Sequence, residues 1–239
     1  MGIMELVVYT FAILYFTIIF SFFIGIVFLE NKKTKNINNI SIIIAARNEE
    51  KHLPSLLESL ISQNFPKENY EIIVIDDRSE DKTAEIVNEY KHKNSNITLL
   101  QIKNESKNLI GKKGAVDKGI RAAKNDILAF TDADCVPTQN WLLQISNHFT
   151  EDTDIVAGYS FINYKNRFFQ FLKNLERSSI FAIVAGSFGW NWGITITAGN
   201  MAYRKELFYK VGGFGDIGTV RSGDDDLMIQ KMGKFAHRM

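Results

Sequence analysis

"EIIVIDDRSED", residues 71–81, joins a short run of mostly β-branched apolar residues to a cluster of charged and polar ones. A continuous apolar run of this length is typical of a strand that is buried on both faces of a parallel sheet. Similar runs recur along the chain, roughly every 30 residues. The five predicted strands are 40–46, 71–76, 97–102, 126–131 and 154–159.

Helical patterns lie between these strands, in four segments of the chain. The segments are 49–63, 81–93, 111–124 and 137–149, and prolines near the start of the first and the fourth favour helix beginnings there. Alternation of strand and helix at this period predicts βαβ units. The predicted fold class is therefore α/β, with a doubly wound, mostly parallel, Rossmann-like sheet.

Polar clusters follow three of the predicted strands. They are "ARNEE" (46–50), "DDRSED" (76–81) and "DADC" (132–135). In a doubly wound sheet, ligands bind outside the carboxyl ends of the strands. Each cluster alone is also a common turn signal, but their shared place at one edge of the sheet predicts a single site.

Composition limits the kinds of partner and metal that this site can take. The net charge of +1 gives no argument for a nucleic acid, and we predict no such partner. The chain has one cysteine and four scattered histidines, so a cysteine-rich or histidine-based zinc site is excluded. A metal ion in this protein would have to be bound by oxygen atoms.

The N-terminus differs from the rest of the chain. Residues Leu6 to Leu29 carry no charge and are long enough to cross a bilayer as a helix, whereas a cleaved signal peptide would have a basic start and a shorter apolar part. We predict a transmembrane helix within residues 1–30 and a basic linker at 31–39. Lysines follow the apolar run and none precedes it, which predicts a cell-membrane protein with the rest of its chain in the cytoplasm.

Two carboxylates separated by one alanine, Asp132 and Asp134, repel each other unless a positive group lies between them. Mg²⁺ and Mn²⁺ prefer oxygen ligands, usually one or two carboxylates plus phosphates and water. A nucleoside diphosphate leaves a sugar more readily when a divalent ion neutralises its charge. The residues thus suggest a nucleotide-sugar site with a Mg or Mn ion, in which Asp77 contacts a base or ribose. One of the three aspartates 224–226 would then be the general base.

The motifs resemble those of the family 2 glycosyltransferases, which are inverting enzymes with a GT-A fold. The resemblance covers about residues 40 to 233 and includes "SIIIAARNEE", "GKKGAVDKGIRAAKNDILAFTDADC", "GNMAYRKELFYKVGGF" and "GDDDLMIQK". It implies a glycosyltransferase domain over 40–239 that moves a sugar from a nucleoside-diphosphate sugar to a hydroxyl of a glycan or lipid-linked acceptor.

The resemblance also implies roles for individual residues. The nucleotide-binding residues would be Ala45, Arg47, Glu49, Asp77, Lys112, Lys113 and Asp132. Asp132 and Asp134 would bind the metal, the second more directly. Asp224 matches the family's usual base, but Gly223 replaces a glutamate that the family commonly has, so Asp225 also stays a candidate.

Two other functions stay open from the residues alone. One is a membrane-tethered nucleotide-sugar binding subunit that has lost catalysis, which the missing glutamate favours. The other is a haloacid-dehalogenase-like phosphatase, although that family has its acidic pair on the first strand and a different residue in place of Cys135. The last helix is predicted to run from near Asp225 to the end of the chain, as in a transferase domain truncated at its C-terminus.

Overall fold

The computed structural model describes residues 2–29, 32–164 and 166–239, and it contains one six-stranded sheet. The strands are β1 (Ile40–Ala46), β2 (Tyr70–Asp77), β3 (Ile97–Ile102), β4 (Ile127–Phe130), β5 (Ile155–Ala157) and β6 (Met201–Arg204). Their order is β3-β2-β1-β4-β6-β5, and β1 to β4 pair in parallel. β6 pairs antiparallel with both β4 and β5. The predicted α/β class with a mostly parallel sheet is confirmed.

Eight α-helices accompany the sheet within the described residues. They are α1 (Ile3–Phe28), α2 (Leu53–Ile61), α3 (Thr83–Lys93), α4 (Lys112–Ala122), α5 (Trp141–His148), α6 (Arg167–Gly189), α7 (Lys205–Lys210) and α8 (Asp226–Met232). The prediction that the last helix runs to the end of the chain is wrong, because Gly233 caps α8 directly after Met232.

Two apolar layers cover the sheet, and the alternation of side chains along β1 separates them. Ile42 and Ile44 face a layer built by α2, α3 and α5, whereas Ile43 faces a layer built by α4, α6, α7 and α8. α4 packs closely against the sheet at Gly119, where a Cβ atom would lie 2.6 Å from Cδ1 of Ile75. This close packing holds the N-terminus of α4 at the carboxyl edge of the sheet.

α1 projects from the domain and contacts it mainly through α6. A Cβ atom on Gly189 would lie 1.7 Å from the carbonyl oxygen of Gly25, and Trp190 donates from Nε1 to the carbonyl of Ser21 at 2.9 Å. Most of α1 is exposed, and among the described residues it is the one helix that is long and apolar enough to cross a membrane. The contact between α1 and α6 therefore fixes where α1 leaves the domain.

The linker predicted at 31–39 is described from Lys32 onward, and residues 30 and 31 lie outside the described part of the chain. It has no regular secondary structure, but it lies against the end of α5. The backbone nitrogen of Thr34 donates to the carbonyl of Asn147 at 2.7 Å, and that of Asn38 donates to Oγ of Ser146 at 2.9 Å. The linker is thus held along the domain over much of its length.

Candidate active site

The predicted site residues gather at the carboxyl ends of β1, β2 and β4. The parallel register places Ala46 beside Asp76 and Ile43 beside Phe130, so the loops after the three strands begin at neighbouring positions. A narrow cavity opens there. Its lining includes Ala45, Lys112, Thr131, Ala198, Tyr203 and Asp224.

The two aspartates that follow β4 lie on one turn, in which the backbone nitrogen of Cys135 donates to the carbonyl of Asp132 at 3.1 Å. Ligand atoms of Asp132, Asp134 and Cys135 lie within 4.8 Å of one another. Asp132 is half-buried, whereas Asp134 is exposed at the rim. This arrangement brings together the two carboxylates that the sequence predicts as metal ligands.

The donor atoms of this turn fit a hard divalent ion. Both carboxylates offer oxygen, and the buried Oγ1 of Thr131, at the end of β4, has no hydrogen-bond partner among the described residues. Burial, together with the charges of Asp132 and Asp134, raises the pKa of the Cys135 thiol. The thiol is therefore neutral at physiological pH and a poor ligand, since metals bind the thiolate. Asp132 and Asp134 are the residues that could bind the ion.

Lys112, the first residue of α4, supplies a positive charge beside these carboxylates. Its Nζ donates to Oδ1 of Asp132 at 2.5 Å. Burial on its own would lower the pKa of Lys112, but the charge and hydrogen bond of Asp132, with further contributions from Asp224 and Asp225, raise it above its usual value. Lys112 is therefore an ammonium at neutral pH and lies between the two acidic clusters.

The three consecutive aspartates before and at the start of α8 have different surroundings. Asp225 caps α8, accepting from the backbone nitrogens of Asp226 at 2.9 Å and Ala198 at 3.1 Å. Asp226 accepts from Oγ1 of Thr195 at 2.6 Å. Asp224 lines the cavity, and no hydrogen bond to its side chain is found among the described residues. Of the two candidate bases, Asp224 is the one whose carboxylate is available to a substrate.

Asp225 also differs from an ordinary surface carboxyl in its titration. Burial raises its pKa, the backbone nitrogen of Asp226 lowers it, and the charges of Asp224 and Asp226 raise it further. A raised pKa alone would suit a general base. The two backbone donors nevertheless occupy both oxygens of Asp225, so its geometry indicates a capping role.

The predicted nucleotide-binding residues after β1 and β2 surround an open edge of the site. Arg47 is exposed, and Glu49 binds Nδ1 of His52 through its side chain at 2.8 Å. Asp77 is buried, and its carboxylate accepts from Nε of Arg78 at 2.8 Å. Asp77 is thus paired with a cation of the same loop, whereas Arg47 is open to solvent.

Lys113 lies apart from this open edge, although the sequence predicts that it binds the nucleotide. Its side chain is 1% exposed, and Nζ donates to the carbonyls of Val220 at 2.6 Å and Ser222 at 3.0 Å. In this structure the ammonium of Lys113 is turned toward the segment that precedes Asp224. Lys112 and Lys113 therefore bind different partners at the N-terminus of α4.

Sequence patterns alone did not identify two further residues of the site. A Cβ atom on Gly199 would lie 2.9 Å from Oδ2 of Asp132, so the backbone there lies close to the carboxylate and a side chain would displace it. Tyr203 on β6 lines the cavity, and burial raises its pKa well above its usual value. The motif "GNMAY" contains both residues, but its spacing does not indicate that it lies beside Asp132.

Comparisons with known proteins bear on this site. A family model described as "Glycosyl transferase family 2" matches residues 41–212. The probable glycosyltransferase YdaM of Bacillus subtilis is 27% identical over 206 residues, covering 83% of this chain and 48% of its own. A dolichyl-phosphate beta-glucosyltransferase of Dictyostelium discoideum is 40% identical over 114 residues, covering 44% of this chain and 34% of its own.

A solved structure has the same fold. The mannosyltransferase PcManGT of Pyrobaculum calidifontis, in complex with GDP-Man and Mn²⁺, superposes with a TM-score of 0.67 at 19% sequence identity, covering 92% of this chain and 60% of that one. This chain spans about half the length, or less, of the curated relatives that it matches.

Proposed function

The chain belongs to glycosyl transferase family 2 and has the GT-A fold, and on that premise we propose that it is a metal-dependent inverting glycosyltransferase. It would move a sugar from a nucleoside-diphosphate sugar to a hydroxyl of a glycan or lipid-linked acceptor. The observation that carries this proposal is the cavity in which Asp224 and Lys112 meet, next to the carboxylates of Asp132 and Asp134. Metal ligands, a cation and an unpaired carboxylate are the groups that such a transfer needs.

Asp132 and Asp134 would bind the divalent ion, which supplies positive charge to the diphosphate leaving group. Lys112 adds an ammonium on the same side of the cavity. Asp224 accepts the proton of the acceptor hydroxyl while the oxygen of that hydroxyl forms a bond to the anomeric carbon. The bond between that carbon and the diphosphate breaks at the same time, so the configuration at the anomeric carbon inverts.

The nucleotide would occupy the loops after β1 and β2. Ala45 is close to the cavity and leaves space for a flat base or ribose, and Asp77 lies on the neighbouring strand. Arg47 and Glu49, on the loop after β1, are accessible to solvent and can hydrogen-bond to nucleotide groups. The mannosyltransferase of the same fold was solved with GDP-Man and Mn²⁺, which supports the same class of donor for this chain.

The direct test of the function is a screen of sugar nucleotides. We expect UDP- or GDP-sugars to raise the melting temperature of the protein in the presence of Mn²⁺, and at least one of them to release its diphosphate nucleotide when a lipid-linked or glycan acceptor is added. Stabilisation without any turnover would favour the binding subunit that has lost catalysis. Absence of both effects across the panel would refute the proposal.

The membrane location is part of the same proposal. α1 would span the bilayer with the site in the cytoplasm, where nucleotide sugars are made, since Lys32, Lys33 and Lys35 follow the helix. The name of the dolichyl-phosphate relative supports a lipid-linked acceptor, which a membrane anchor would bring within reach.

This topology predicts different labelling at the two ends of α1. In a Cys135→Ser background, Lys35→Cys should be protected from a membrane-impermeant maleimide in intact cells and react after lysis. Gly2→Cys is the matched control, because it lies at the other end of α1 and should react in intact cells. The reverse pattern would place the site outside the cell, and labelling of both cysteines in intact cells would mean that α1 does not span the membrane.

A further inference from the structure

Lys113 is buried beside the site, and its ammonium bonds to backbone carbonyls of the segment before Asp224. We propose that Lys113 is a positioning residue, which fixes the segment 218–223 and thereby holds the Asp224 carboxylate in the cavity. This inference rests on the proposed role of Asp224 as the general base, and it assigns to Lys113 no contact with substrate.

The first observation behind the proposal is the set of hydrogen-bond partners of Lys113. A buried ammonium requires hydrogen-bond acceptors, and Lys113 obtains two from the backbone carbonyls of Val220 and Ser222. Among the described residues no carboxylate forms an ion pair with it. Hydrogen bonds from a charged donor are roughly twice as strong as neutral ones, so the two carbonyls are held firmly.

The segment that Lys113 contacts is held at both ends as well. The backbone nitrogen of Ile110, just before α4, donates to the carbonyl of Gly218 at 2.9 Å. At the other end Gly223 has a φ of 74°, a conformation that favours glycine, and it turns the chain into Asp224. The carbonyl of Gly223 also accepts from the backbone nitrogen of Leu227 at 3.1 Å, and Val220 donates from its backbone nitrogen to the carbonyl of Ile217 at 3.2 Å. These bonds are local in the chain, whereas Lys113 supplies the contacts that tie the middle of the segment to α4.

Neighbouring lysines on α4 thus make different contacts beside the two acidic clusters. Lys112 binds Asp132, and Lys113 binds the segment that leads to Asp224. α4 packs closely on the sheet through Gly119, and Ala115 buries its first turn in the same core layer. The geometry points to α4 as the element that sets the distance between the metal ligands and the base.

The test replaces Lys113 with an uncharged side chain of similar volume. Lys113→Met should lower the rate of sugar transfer by about 10²-fold, the scale of loss expected from a catalytic group displaced by about 1 Å. Affinity for UDP or GDP with Mn²⁺ should stay within about twofold, because Lys112, Asp132 and Asp134 are untouched. The transfer rate and the nucleotide affinity are therefore measured on the same preparations.

Lys205→Met is the matched control. Lys205 Nζ also donates to a backbone carbonyl, that of Ala123, but at the opposite end of α4. Because Lys205 is only partly buried and makes one such bond, Lys205→Met should lose less stability than Lys113→Met, and it should keep its transfer rate. Equal transfer rates in the two variants would overturn the proposal, and a large loss of nucleotide affinity in Lys113→Met would mean that Lys113 binds the nucleotide instead.

Two further measurements cover the remaining outcomes. If Lys113→Met does not fold, Gly223→Ala tests the same segment from its other end, and normal transfer by that variant would refute the role of the segment. Amide hydrogen exchange of residues 219–226 needs no substrate: it should become faster in Lys113→Met than in Lys205→Met. Faster exchange in a protein without transferase activity would support the contact and refute only the proposed function, whereas unchanged exchange would refute the positioning role.

Discussion

Asp224→Asn is expected to lower the rate of sugar transfer by about 10²- to 10⁴-fold, the usual contribution of general acid–base catalysis. The asparagine keeps the size of the side chain but cannot accept the proton of the acceptor hydroxyl. Nucleotide affinity in the presence of Mn²⁺ should change little, since Asp132 and Asp134 remain. Initial rates of transfer and calorimetric titration with UDP and GDP separate the two quantities.

The adjacent aspartates are the controls for this result. In Asp226→Asn the bond from Thr195 is weakened, and in Asp225→Asn the amide oxygen can replace only one of the two accepting oxygens, so both variants should lose about 0.5–1.5 kcal/mol of unfolding free energy. Their transfer rates should stay well above that of Asp224→Asn. If Asp225→Asn were the slowest of the three, the base would be Asp225 and its two backbone bonds would have to open in the complex.

Much of the sheet could be predicted because its strands are unusually apolar. The run from Ile40 to Ala46 is buried along nearly its whole length and has the predicted bounds, as does the strand Ile97–Ile102. The strand predicted at 126–131 is shorter and runs from Ile127 to Phe130, one residue before the turn that begins at Asp132. Periodicity alone does not fix such ends.

The edge of the sheet beyond β4 was less predictable. β6 lies between β4 and β5 and runs against them, although β5 precedes it in the chain. The long α6 separates β5 from β6 in sequence, so their pairing depends on contacts that no local pattern contains. The direction of a short strand such as Met201–Arg204 cannot be read from its composition.

The acidic clusters of the site were predictable, but their internal roles were not. Asp224 and Asp225 are adjacent and identical in type, but Asp224 lines the cavity whereas Asp225 accepts from two backbone nitrogens. The same is true of Lys112 and Lys113, since consecutive residues on a helix point about 100° apart. One of them therefore faces Asp132 and the other the segment that precedes Asp224.

Asp134→Ala is expected to abolish the effect of metal on nucleotide binding. In the unchanged protein, Mn²⁺ should raise the affinity for UDP or GDP about 10- to 100-fold relative to EDTA, or ~1.4–2.7 kcal/mol. Without the ion, the diphosphate would approach two carboxylates that repel it, and Asp134 has no cation of its own among the described residues. Calorimetry with and without EDTA measures the difference, and Asp152→Ala, at an exposed position before β5, is the control that should keep it.

Equal affinities in Mn²⁺ and EDTA for the unchanged protein would refute the metal assignment. In EDTA we expect Lys112 to support the remaining affinity for the nucleotide, because its ammonium already neutralises part of the charge of Asp132. A double variant, Lys112→Met with Asp134→Ala, should bind the diphosphate more weakly than Asp134→Ala alone in EDTA. If Lys112 only stabilised the turn, removing it would lower the melting temperature and leave the affinity in EDTA unchanged.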